Sequence, residues 1–204
     1  METFYERRIL PHLIKCACGC GAVEAKRAEI VPLAAGRVLE LGAGGGLNFR
    51  HYDPAKVTSV TGIDPSTKLR AFAEAAPRAA GLPVELVDGS AEALPFAEAS
   101  FDTVLSTYTL CTVPDAARAI AEARRVLRPG GRFLFCEHGL APDAGVSAWQ
   151  RRLDPLWGKL FGGCHLTRQA GTEIAKHFTL TWRDEGYLPK MLRIAGWTEW
   201  GEAV

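Results

Sequence analysis

From about residue 36 onward, short runs of β-branched and leucine residues alternate with alanine-rich stretches whose apolar positions recur at helical spacing. That alternation predicts parallel strands joined by crossover helices on both faces of one doubly wound sheet. Strands are predicted over residues 38–41, 57–63, 84–87, 103–105 and 132–136, and helices over 67–80 and 116–127, with a shorter helix after Gly46. Pro129-Gly130-Gly131 reads as the stop that resets the chain for the fifth strand.

After Ser147 the pattern changes. Trp149, Leu153, Leu156, Trp157, Leu160 and Phe161 fall on one helical face, and residues 179–182 and 197–200 read as a closing hairpin. The first 35 residues read as two helical pieces broken around residues 16–21, lying across the top of the sheet as a lid. With no repeat or linker, residues 1–204 are expected to form one domain: a lid (1–35), a cofactor-binding core (36–137) and substrate-side helices with the hairpin (138–204).

Composition narrows the class. The 204 residues are 48% hydrophobic and 23% charged, the balance of a chain that folds by itself. A formal net charge of +1 supplies no field for nucleic acid or an anionic membrane, so no nucleic-acid partner is expected, and Arg124-Arg125 and Arg151-Arg152 read as solvated helix faces. No window approaches the ~20 apolar residues of a membrane span, so a cytoplasmic protein without a transmembrane anchor is expected. The six cysteines read as reduced thiols.

The chemistry begins at Val38-Leu-Glu-Leu-Gly42-Ala-Gly44-Gly45-Gly46, where glycines follow a strand and permit a tight turn close to a ligand. A nicotinamide enzyme shares such a turn, but usually with Gly-x-Gly-x-x-Gly spacing and a diphosphate at the helix N-terminus. Glu40, just upstream, would repel a diphosphate and suits a cofactor that carries positive charge. Val60-Thr-Gly-Ile-Asp64 ends the second strand with an acid at a position where it can accept both ribose hydroxyls.

These segments continue into Asp88-Gly-Ser-Ala-Glu-Ala-Leu-Pro-Phe96, Ser100-Phe-Asp-Thr-Val-Leu-Ser106, Leu110-Cys-Thr-Val-Pro-Asp115 and Arg125-Val-Leu-Arg-Pro-Gly-Gly131. Together they resemble the successive motifs of the class I S-adenosylmethionine (SAM) dependent methyltransferases, in the branch of the quinone C-methyltransferases, over about residues 37–137. The resemblance implies a Rossmann-like α/β fold with a mostly parallel seven-stranded sheet, helices on both faces and a C-terminal β-hairpin. It implies that Gly42, Ala43 and Gly44 line the methionine and ribose, that Glu40 faces the amino group and that Asp64 holds the ribose. Gly89, Ser90 and Ala91 would border the adenine, with Asn48 and Pro65 completing the set and Tyr5 closing over it from the lid. Relatives commonly carry Asp where this chain has Ser90. Ser106 and Thr107 either face the methyl-transfer pocket or simply end their strand.

A narrower resemblance follows from Ser106-Thr-Tyr-Thr-Leu-Cys-Thr-Val113, Cys136-Glu-His-Gly139, Leu153-Asp-Pro-Leu-Trp157 and Gly162-Gly-Cys-His-Leu-Thr-Arg168. These are similar to the thiol S-methyltransferases of animal endoplasmic reticulum and lipid droplets and their bacterial homologues. A small-molecule thiol acceptor is thereby implied, beneath a roof formed by residues 149–168. Methylation of a quinone ring carbon or a phospholipid amine, and SAM binding without turnover, stay open.

A thiol must lose its proton to react, and His138, Asp154 and His165 are the candidates to assist. Each has a plainer role: His138 as a strand end, Asp154 as a backbone acceptor beside Pro155, His165 as a loop residue. Cys16, Cys18 and Cys20, with Cys164-His165 downstream, invite a metal or arsenite reading, but zinc sites use wider spacing and no metal is expected. Cys111 and Cys136 read as buried small hydrophobes.

Overall fold

The computed structural model describes residues 4–204. Its seven strands are β1 (Gly36–Leu41), β2 (Val57–Asp64), β3 (Val84–Asp88), β4 (Phe101–Thr107), β5 (Leu127–His138), β6 (Leu180–Tyr187) and β7 (Trp197–Ala203). They stand in the order β3-β2-β1-β4-β5-β7-β6. The first five run parallel, and β7 inserts antiparallel between β5 and β6 as the inner arm of the expected hairpin.

Side chains alternate along each central strand, so each face receives its own core. On one face Leu39, Leu41, Val104, Phe133 and Phe135 pack against Ala119, Ile120, Ala123 and Val126 of helix α5 (Ala116–Val126). On the other, Val38, Val60, Leu105 and Leu134 meet Phe49, Tyr52 and Ile30.

Before β1 lie α1 (Phe4–Arg8), α2 (Leu10–Cys18) and α3 (Gly21–Ile30), so the helical run breaks within the expected residues 16–21 but falls into three pieces. Helix α4 (Thr67–Glu74) is capped by Ser66, whose hydroxyl accepts from Leu69 N at 3.3 Å. It ends well before the predicted residue 80, because Pro77 cannot continue a helix and disfavours helical backbone at Ala76. The short helix expected after Gly46 is absent: residues 42–50 form successive turns, with Gly44 and Gly46 at φ +53° and +71°, outside the helical region.

Helix α5 starts where Asp115 accepts from Arg118 N at 3.0 Å, and it stops at Val126. β5 therefore begins earlier than predicted, and Pro129-Gly130-Gly131 occupies the slip in register between Phe101↔Leu127 and Thr103↔Arg132. Arg125 is no solvated charge, since it pairs with Glu122 at 2.7 Å and donates to the Phe96 and Leu94 carbonyls at 2.7 and 3.0 Å.

The predicted aromatic face lies on α6 (Ala144–Leu160), but Trp149 and Leu156 are 57% and 58% exposed. The helix is anchored by Gln150, which is buried, accepts from Ala141 N and donates to the Gly139 and Ile194 carbonyls. Short helices α7 (Ala170–Ile174) and α8 (Arg193–Gly196) follow. Among the described residues no helix is long and apolar enough to cross a membrane.

Candidate active site

The chain winds outward from β1 to β3 and then returns to β4, so a crevice opens at the carboxyl ends of β1 and β4. The glycine turn after β1 is held from two sides. Thr109 Oγ1 donates to Leu41 O at 2.9 Å, and Asp64 at the end of β2 accepts from Gly44 N at 2.9 Å and Ser66 N at 2.8 Å. Burial raises the Asp64 pKa above the ordinary carboxylate value, against the lowering effect of those two bonds.

Beneath the turn lies a buried polar network. Glu40 accepts from Asn48 Nδ2 at 2.9 Å and from the Tyr52 hydroxyl at 2.7 Å. Asn48 also donates to Thr107 Oγ1 at 2.9 Å. Arg27 reaches in from α3 and donates to Asn48 Oδ1 at 2.7 Å and Thr107 Oγ1 at 2.6 Å. Burial pushes the Glu40 carboxyl up to about 7.

Arg27 is only 4% exposed, yet its Nε has no partner among the described residues. An unsatisfied buried donor costs about 1–3 kcal/mol, so the position favours an anion that would take it up. Neither Arg27 nor Tyr52 was singled out from the sequence. Their signal is only spatial, because each lies on an otherwise ordinary helix or turn.

Gly89, Ser90 and Ala91 follow β3 beside Asp64 and Pro65. The Ser90 hydroxyl donates to Glu92 at 2.8 Å, and Ala91 is buried. Arg70 ties this edge together by donating to the Asp64 carbonyl and to Asp88, the latter at 2.6 Å. Helix α2 spans the crevice: the His12 and Phe72 rings lie 5.1 Å apart, Lys15 Nζ stands 4.7 Å over Phe72, and Leu10 packs on Gly162. The Tyr5 hydroxyl donates to Leu160 O at the end of α6.

On the far side of β4, Glu137 is fully buried and accepts from Ser106 Oγ at 2.7 Å, Thr109 N at 3.0 Å and Cys111 N at 3.4 Å. Its carboxylate fixes the loop after β4, and burial raises its pKa. Glu137 lies inside the quoted segment Cys136-Glu-His-Gly139, but the sequence assigned it no role, since there it reads as one more strand position.

The segment after α6 returns to the same loop, with His165 N donating to Cys111 O at 2.8 Å. This approach depends on Gly163, at φ +89°, where a Cβ would press to 3.2 Å from Thr112 O. Cys164 Sγ then stands 2.7 Å from His138 Nε2 and 3.8 Å from Cys111 Sγ. The neighbouring Cys111 sulfur and burial push the Cys164 thiol up, against the lowering effect of the His138 imidazole.

The three expected catalytic residues are thus split. His165 Nδ1 pairs with Asp154 Oδ2 at 2.8 Å, Asp154 also accepts from Thr167 N at 3.2 Å, and His138 belongs to the thiol group. Cys164 joins Cys111 and His138, while Cys16 is exposed; Cys111 and Cys136 are buried as expected. A polar groove of about 670 Å³ lined by Pro114, Asp115, Leu140, Arg151 and Arg168 lies outside the glycine-turn crevice and carries none of these groups.

Residues 39–135 match the family described as a methyltransferase domain. A human thiol S-methyltransferase (TMT1A) is 39% identical over 137 residues, 65% of this chain and 55% of that protein. A demethylmenaquinone methyltransferase of Thermobifida fusca is 31% identical over 166 residues, 79% of this chain and 68% of that protein. This chain spans 55–59% of the length of the animal thiol S-methyltransferases it matches. Among solved structures, a SAM-dependent methyltransferase of Thermotoga maritima superposes with a TM-score of 0.68 at 20% identity, covering 98% of this chain and 97% of that one. A geranyl diphosphate methyltransferase in complex with SAM gives a TM-score of 0.65 at 15% identity over 94% of this chain and 93% of the other.

Proposed function

Because the chain belongs to the class I SAM-dependent methyltransferase family, we propose that it binds SAM in the crevice at the carboxyl ends of β1 and β4 and transfers the methyl group to a small-molecule thiol. The observation that carries the reading is the adjacency of Glu40 and Arg27. The methionine end of SAM bears an ammonium and a carboxylate, and these two buried residues offer the opposite of each, with the free Arg27 Nε as the unspent donor.

When bound, SAM supplies a methyl carbon made electrophilic by its sulfonium. The chain's residues bind and orient it. The backbone of Gly42, Ala43 and Gly44 lies against the methionine and ribose, and Asp64, placed by Gly44 N and Ser66 N, accepts from the ribose with Pro65 alongside. Gly89, Ser90 and Ala91 border the adenine. Ser90, donating to Glu92, offers the adenine its backbone in place of a side-chain carboxylate. Asn48 and Thr107 transmit the placement of Glu40 and Arg27 to the end of β4, and Ser106 fixes Glu137 behind it.

Helices α1 and α2, with Tyr5 tied to Leu160, close the crevice against water. The acceptor enters on the Cys111–His138–Cys164 side, where His165 and Asp154 order the wall and His138 faces the incoming sulfur. In-line approach of that sulfur is what the site provides, since orientation alone contributes several kcal/mol to such transfers.

The likeness to a demethylmenaquinone methyltransferase supports one second reading, a quinol ring carbon as acceptor. Radiolabelled SAM offered with an alkyl thiol, a quinol and a lipid amine separates the readings. Methyl thioether formation is expected; label in the quinol or amine alone moves the acceptor, and label in none of the three removes the enzymatic reading.

A further inference from the structure

We propose that Cys111, His138 and Cys164 bind one Zn²⁺ ion whose open fourth position takes the acceptor sulfur. The proposal rests on the thiol reading above and gives it a mechanism. The three ligand atoms come from three distant segments and lie within 4.8 Å of one another.

Zn–S bonds of about 2.3 Å in a tetrahedron put two sulfurs about 3.8 Å apart. The Cys111 and Cys164 sulfurs are 3.8 Å apart. His138 Nε2, at 2.7 Å from Cys164 Sγ, must swing outward by roughly 0.8 Å to reach the S···N edge of about 3.5 Å that the same geometry requires. Two thiols with one imidazole form a borderline-soft donor set that suits zinc and discriminates against magnesium or calcium.

The ligands are held independently of any ion. Cys111 is fixed through its N–H to Glu137 and its carbonyl to His165 N, Cys164 by the Gly163 turn, and His138 by pairing with Thr198 of β7. Three protein ligands leave one position open, the arrangement of catalytic and not of structural zinc. That position belongs to the carboxyl ends of β4 and β5, where the acceptor enters. Among the described residues the ligand atoms within 4.8 Å of one another are those of Cys111, His138 and Cys164 alone, which leaves the fourth position to the acceptor.

Loading the site releases the protons of Cys111 and Cys164 to solvent. An acceptor RSH then binds the ion as RS⁻, its proton also leaving to solvent, so no protein base is needed. A lone pair of that sulfur forms the new C–S bond as the methyl–sulfonium bond breaks. The bonding pair goes to the departing sulfur, yielding neutral S-adenosylhomocysteine and a thioether that binds the ion weakly and leaves.

The test uses the full chain purified under reducing conditions, equilibrated with ZnCl₂ and dialysed before elemental analysis. One zinc per chain is expected. Cys111→Ser and Cys164→Ser should each weaken zinc binding by more than the roughly 10–100-fold that loss of an outer partner costs, while Cys16→Ser and Cys20→Ser should retain it. S-adenosylhomocysteine affinity measured on every variant shows that the fold persists.

With Co²⁺ in place of zinc, thiolate-to-cobalt absorption is expected, and a small alkyl thiol should shift it by filling the open position. Absence of stoichiometric zinc, zinc retained in Cys164→Ser, or a cobalt spectrum indifferent to thiol overturns the proposal. Thiol methylation at an unchanged rate in the zinc-free enzyme overturns it while leaving the acceptor intact. Stoichiometric zinc with a thiol-shifted cobalt spectrum but no thioether upholds the site and removes the acceptor reading.

Discussion

On one side of β4 the crevice is lined by Glu40, Asn48 and Tyr52, where Asn48 and Tyr52 lie 8 and 12 residues beyond Glu40 and donate to it at 2.9 and 2.7 Å. On the other side His138 and Cys111 meet Cys164 across 26 and 53 residues. The first wall is charged and closely hydrogen-bonded, with Arg27 and Thr107 as its long-range contributors; the second joins His138 at the end of β5 to thiols on two loops. A cofactor of fixed structure is matched by a rigid local network, whereas the acceptor wall depends on three segments being brought together by backbone bonds such as His165 N to Cys111 O.

The largest expected effect tests the seam between the two walls. Glu137→Ala removes the acceptor for Ser106, Thr109 and Cys111 and should lower stability by on the order of 3 kcal/mol or more in urea unfolding, with Glu137→Gln losing less. A change below about 1 kcal/mol would mean that the acceptor loop does not depend on this carboxylate.

Next come the cofactor contacts. Asp64→Ala and Arg27→Met should each weaken S-adenosylhomocysteine binding by about 1.5–3 kcal/mol by calorimetry, the scale of hydrogen bonds to charged groups. Neither should approach that effect on binding of an acceptor thiol. Equal losses in both affinities would erase the division into two walls.

A smaller effect follows from Glu40. Its folded-state pKa, about 7, lies above the ordinary 4.5, so the folded state holds its proton more tightly than the unfolded chain. Stability of the empty protein should therefore fall as pH rises from about 4.5 through about 7, while cofactor affinity should rise over the same window as the carboxylate ionises. Melting and binding curves that keep the parent's pH dependence in Glu40→Gln would assign it to another group. The smallest effect belongs to the outward face of α6: Trp149→Ala should change stability by no more than about 0.5 kcal/mol.

The same contrast explains what was legible in the sequence. Strand positions and the glycine turn depend on short-range pattern, so β1, β2 and the Glu40–Gly44 and Asp64 elements stand where the pattern put them. Propensity failed where one residue outweighed its neighbours: Pro77 cut α4 short, and left-handed Gly44 and Gly46 replaced a helix with turns. The apolar period of α6 was present, but Gln150 anchors the helix and leaves Trp149 outside. The wall of Cys111, His138 and Cys164 has no sequence period at all. Three cysteines at alternate positions drew attention to residues 16–20, whereas the thiols that meet lie on segments joined only by the fold.

A structure of the protein with S-adenosylhomocysteine bound joins both walls in one observation, because the ligand's sulfur marks where the methyl group departs. The expected placement has its carboxylate on Arg27, its amino group toward Glu40, its ribose on Asp64, and its sulfur facing across β4 toward Cys164 and His138. A ligand bound in this crevice with its sulfur turned away from Cys111, His138 and Cys164, or bound in the groove beside Arg151 and Arg168, would contradict it.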